Sequence, residues 1–142
     1  MQGYLRGRAG NVTFWALIIA LVFIPLAALL VDAPRLYTAS IRLQSAVDAA
    51  AEAASRCVDV DWYQESGEAR LNLDCASAEA QRQFRLTAGG TPQMRPAFGG
   101  ITVDETADAV TATGSMTVDV LFRHITVRIH RSATSAFRME QR

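Results

Sequence analysis

From Val12 to Val31 the chain reads VTFWALIIALVFIPLAALLV, a run in which Thr13 carries the only polar side chain. At the rise of an α-helix these residues extend about 30 Å, the thickness of a bilayer's hydrocarbon core. Arg6 and Arg8 precede the run and no acidic residue does. That bias predicts a single pass through the cytoplasmic (inner) membrane, with the short N-terminus in the cytoplasm and everything after Asp32 outside. A cleaved signal peptide is the competing reading. Against it, the run is longer than an ordinary h-region, and the one small-residue site, Val31-Asp32-Ala33, is followed by Pro34.

Working outward, Pro25 removes one backbone hydrogen bond inside the run and predicts a bend without a break. Pro34 falls just past the exit, where the helical pattern resumes. Leu36, Leu43, Val47, Ala50 and Ala54 trace one face, with Arg42, Ser45, Asp48, Glu52 and Arg56 opposite. Glu52 and Arg56 form an i,i+4 pair in the favourable order. The reading is a nearly continuous helix from Val12 to Ser55, half in lipid and half outside. Its outer half is rich in alanine, which lets another backbone approach closely. One face is expected on the chain's own sheet, and a second is open to sister subunits.

The organisation that follows is a basic cytoplasmic leader over 1–11, a transmembrane helix over 12–31 and its extracytoplasmic continuation over 32–56. A small extracytoplasmic α+β domain over 57–142 completes it. Of the 142 residues, 14 are basic and 14 acidic, and every basic one is arginine. A neutral chain without a cationic block offers no electrostatic footprint for nucleic acid.

Cys57 and Cys75 are the only cysteines. In an oxidising compartment a pair this close forms a disulfide, worth about 3 kcal/mol if unstrained. Two reduced thiols are the alternative. Between them Val58, Val60 and Trp62 alternate with Asp59 and Asp61, Leu71 and Leu73 alternate on the return, and Glu65-Ser66-Gly67 supplies a turn signal. The expectation is a hairpin with Cys57 facing Cys75, stapled at its open end. Ser77–Ala88 reads as a short helix ended by Gly89-Gly90, and Thr91–Gly100 as a loop. Beyond it the period becomes two, over Val110–Val120 and Ile125–Ile129, with a slip at His130-Arg131. With Ile101–Val103 this predicts a three-stranded antiparallel sheet with a threonine-rich solvent face. The fold class is thus α+β, a long N-terminal helix packed with a small sheet.

Candidate chemistry is thin. His124 and His130 share a strand face with no third ligand nearby, and there is no C-x-x-C pair, so no metal is expected. Asp104, Glu105 and Asp108 cluster in a turn lacking the glycine and terminal glutamate of an EF-hand. Asp59 and Asp61 on one face do not make a glycosidase. Neither G-x-S-x-G nor a phosphate-binding glycine loop occurs. The expectation is a protein that is not an enzyme and takes no cofactor and no small-molecule substrate. Asp32 and Arg35, one turn apart at the lipid boundary, form a membrane-exit charge pair, suited to anchoring on headgroups or to an intersubunit contact.

The ordered elements Val31-Asp32-Ala33-Pro34-Arg35-Leu36-Tyr37, Leu43-Gln44-Ser45-Ala46 and Asp48-Ala49-Ala50-Ala51 resemble the N-terminal signature of TadE/TadG-like proteins of the tight-adherence (Tad/Flp) pilus system. The likeness covers Gly10 to Ala54. It implies a membrane-anchored minor pilin, pseudopilin or accessory protein of pilus assembly and cell adhesion, with other pilus subunits and the membrane as partners. In such a family a leader peptidase would cut between Gly10 and Asn11. Trp15 stands where cleaved pilins usually carry glutamate, which favours a TadG-like anchored protein over a processed major subunit. The alternative function is a membrane-tethered module that binds a ligand through the Thr91–Gly100 loop.

Overall fold

A computed structural model describes residues 6–120 and 125–137, with side chains from Asn11 onward, Ile125 excepted. Helix α1 spans Arg6–Ser55 as a single rod of 50 residues that includes both Pro25 and Pro34. It is followed by α2 (Val60–Ser66), α3 (Leu73–Ala88), β1 (Met94–Asp104), β2 (Ala109–Val120) and β3 (Ile125–Ala136). The strands form one antiparallel sheet in the order β1-β2-β3. The α+β expectation and the three-stranded sheet both hold.

α1 has two different halves. Below Asp32 its large side chains stand clear of the fold, Leu21 72% and Leu30 69% exposed among them. Above it, Ala39, Leu43, Ala46, Val47, Ala50 and Ala54 are fully buried. The burial recurs every three or four residues, so one stripe of the helix meets the domain. α3 packs on α1 with Ala76, Ala80 and Ala88 buried on one face, small side chains that allow close packing, while Phe84 reaches across to Phe98 and Gly114 of the sheet. On the other side, α1 meets the inner face of the sheet, lined by Val110, Ala112, Met116 and Val118.

The expected hairpin between the cysteines is not formed. The Asp59 carboxylate accepts the Trp62 N–H at 3.2 Å and so caps α2, while Gly67, at φ +75°, ends it with its N–H on the Tyr63 carbonyl at 2.9 Å. Capping by a short polar side chain outweighs a weak alternation of valines. Only the Val58–Leu71 bridge remains of the ladder. Asn72 then accepts the Cys75 N–H at 3.1 Å, which starts α3 at Leu73, four residues earlier than the pattern suggested. The disulfide itself is present: Cys57 and Cys75 are joined with their Cα atoms 5.8 Å apart. It ties the top of α1 to the first turn of α3.

The Thr91–Gly100 segment is also not a loop. From Met94 it is part of β1, where Pro96 sits on an edge strand and a bulge between Phe98 and Gly100 absorbs the glycines. The slip expected at His130-Arg131 does not occur, since β2 and β3 pair without a break from Ala109–Ala136 to Val120–Ile125. Arg131 instead points to the helix side of the sheet and donates from Nη2 to Ser40 Oγ at 2.8 Å. Proline and a bulge on one edge, and an inward arginine on the other, are devices that discourage edge-to-edge pairing.

Candidate functional site

The feature best fitted to a function is the exposed apolar half of α1. An 18-residue window within Asn11–Ser55 has a mean hydropathy of 2.8 and none of it is buried in the fold. Among the described residues this is the one helix long and apolar enough to cross a membrane. Above the apolar run, Tyr37 and Ile41 continue the outward face at 71% and 49% exposure. Thr38 Oγ1 donates to the Pro34 carbonyl at 2.8 Å, one turn above the backbone bond that Pro34 cannot make.

Asp32 is buried at the boundary between the two halves, and Arg35, one turn later, is half-buried. Three ion pairs lie in the upper domain, Arg56–Glu52, Arg82–Glu79 and Arg95–Asp119. Gly10 and Asn11 both fall within α1. The sequence placed these four residues along one element, and the structure keeps them there without gathering them into a pocket.

The remaining candidates scatter. His130 is exposed on the solvent face of β3, and His124 lies outside the described residues. In the β1–β2 turn, Asp104 accepts from the Thr106 hydroxyl at 2.6 Å, the Thr106 N–H at 3.0 Å and the Ala107 N–H at 3.2 Å. These bonds, the hydroxyl first, hold its carboxyl below the ordinary value of 3.8. The carboxylate is occupied in shaping the turn. Asp59 is likewise spent on capping α2. Among the described residues no group of three His, Cys, Asp or Glu side chains stands close enough to hold a metal ion.

Sequence reasoning missed a cleft of about 960 Å³ at the end of the domain far from the apolar run. It lies between the disulfide-closed segment and the β1–β2 turn, with Trp62, Leu73, Val103 and Phe137 in its walls. Arg70 stands 5.2 Å over the Trp62 ring, a cation–π pair that gives the exposed indole a partner within the fold. The hairpin expectation concealed it, because the cleft exists only where the chain turns into α2 and leaves the sheet uncovered.

No curated protein and no solved structure matches the chain. A family model matches on the element that carries the membrane-helix feature. Residues 10–56, which reach from Gly10 to the residue before Cys57, match the family model described as "Putative Flp pilus-assembly TadE/G-like".

Proposed function

We propose that this chain is a membrane-anchored accessory protein or minor pilin-like subunit of Flp-type pilus assembly. In this reading its short N-terminus is cytoplasmic, α1 crosses the inner membrane once, and the α+β domain stands outside. Its role is structural and not catalytic: it associates with other pilus subunits through α1 and meets partners through the domain. The observation that carries the reading is the undivided α1, one rod whose lower half is apolar and uncovered and whose upper half is the spine of a folded domain. Such a helix joins the membrane to the domain with no non-helical segment between them. Trp15 in the apolar run further supports an anchored, unprocessed protein.

Two measurements test this together. Deleting the gene should abolish or sharply reduce surface pili and attachment, and a photo-crosslinker at Tyr37 or Ile41 should capture pilus subunits. Unchanged pili in the deletion strain would overturn the proposal. An intact mass lacking the residues before Asn11 would overturn the unprocessed form.

The alternative, ligand capture by a Thr91–Gly100 loop, loses its premise because most of that segment is strand β1.

A further inference from the structure

Because α1 runs into the domain without a linker, the lower end of the domain is held at the bilayer surface. The sheet register gives the depth of each side chain. A β-carbon on Gly114 would lie 3.1 Å from Val47, and Arg131, paired with Gly114, reaches Ser40. That rung therefore stands beside residues 40–47 of α1. Three residues further down β2 is the rung Arg95–Thr117–Arg128, about 10 Å nearer the membrane at the rise of a strand. The Val120–Ile125 rung is about 10 Å lower again, which brings it level with Asp32 and fits the burial of that carboxylate.

Arginine collects in this lower zone. Arg35 lies on α1 just above the exit, while Arg95 and Arg128 stand exposed on the solvent face of the sheet. Arg95 shares Asp119, at 3.1 Å. Arg35 and Arg128 have no ion-pair partner among the described residues. Arg42 is two turns above Arg35 and adds to the same field. At the opposite end the sign reverses: residues 59–74 hold five carboxylates against Arg70 alone, and the 104–108 turn holds three more with no basic residue. With Asp32 and Asp119 set against Arg35, Arg42, Arg95 and Arg128, the zone beside the membrane is still net positive, while the far end is net negative. Guanidinium groups keep their charge and fork onto phosphate oxygens, which suits them to lipid headgroups. The headgroup layer is about 5–8 Å deep, within reach of an extended arginine from this zone.

We propose that Arg35, Arg95 and Arg128 form a collar that binds the phosphate groups of anionic phospholipid in the outer surface of the membrane and holds the domain upright on it. This rests on α1 crossing the membrane. The test uses the full chain reconstituted in bilayers of phosphatidylcholine, alone or with about a third phosphatidylglycerol. Amide exchange is then followed along β1 and β3. Exchange over 94–98 and 126–129 should slow by about tenfold in the anionic bilayers, and the disulfide end should not change. High salt, or the double variant R95Q/R128Q, should remove the difference, as should R35Q in part.

Equal exchange in the two bilayers would overturn the collar, and so would protection that survives R95Q/R128Q. Protection reproduced by inorganic phosphate with phosphatidylcholine alone would show a soluble-anion site and also overturn it. Should the double variant fail to fold, the lipid and salt arms on the unaltered chain still decide. A chain that floats with neither vesicle would remove the membrane anchor itself. One that floats with both and shows no lipid preference removes only the collar.

Discussion

The ring of Phe84 on α3 fills the space that a β-carbon on Gly114 of β2 would need, with Cε2 only 2.7 Å from that point. Phe84 is 2% exposed and its ring packs against Phe98, centroids 5.3 Å apart, so shifting it disturbs that pair. Gly114→Ala should therefore destabilise the domain by about 1–2 kcal/mol, because an overpacking cost of about 1–3 kcal/mol outweighs the roughly 0.5–1 kcal/mol gained by removing a strand glycine. Phe84→Ala should cost about 3–5 kcal/mol through the cavity it leaves. Thermal unfolding of the full chain in detergent checks both; an unchanged midpoint for Gly114→Ala would mean the helix–sheet contact is looser than described.

The Cys57–Cys75 bridge closes a segment with a sequence separation of 18. Replacing both cysteines by alanine should lower stability by about 3 kcal/mol, and a reductant should do the same to the unaltered chain. The α1–α3 contact lies below the bridge and is lined by buried alanines, so helix content should persist at low temperature. Circular dichroism with and without reductant separates these effects.

Two caps replace the expected hairpin, and each is open to a single substitution. Asn72→Ala should cost about 1 kcal/mol of overall stability, since α3 is part of the core. Asp59→Ala should fray α2 alone, since none of its residues is buried. Amide exchange would show the contrast: faster at 60–66 for Asp59→Ala with the core unchanged.

Asp104 has a carboxyl held below its ordinary value by the Thr106 hydroxyl and by the N–H groups of Ala107 and Thr106. A depressed folded-state value adds stability that is present above 3.8 and is lost as pH falls below it through the folded value. Carbon-detected titration should place the Asp104 midpoint below that of an exposed aspartate. Thr106→Val should move it back upward. A midpoint at the ordinary position in the unaltered chain would contradict the turn geometry.

The parts of this fold with strong period were legible from the residues alone. The apolar run over 12–31 and the heptad-like stripe from Leu36 to Ala54 could be read because many positions repeat one message. The alternation over 110–120 did the same for β2. The cysteines paired as expected. What failed was decided by single side chains: Asp59 and Asn72 as caps, and an edge position that accommodates Pro96. A two-residue alternation from Val58 to Trp62 is too short to outweigh one good cap. The alternation over 110–120 puts Gly114 on the inward side, but the sequence does not say that an aromatic ring from α3 fills its place. The proposed arginine collar was not legible for another reason, since Arg35 is brought into the same zone as Arg95 and Arg128 only by the register of the sheet on α1.

The central claim is that α1 is one rod, its lower half in lipid and its upper half in a domain outside the cell's inner membrane. Single added cysteines and a membrane-impermeant maleimide test it most directly in intact spheroplasts, with the native pair left oxidised. A cysteine at Ser77 should label at once, one at Arg8 only after permeabilisation, and one at Leu21 only when detergent dissolves the bilayer. Free labelling of Leu21→Cys in a soluble fraction would contradict the account.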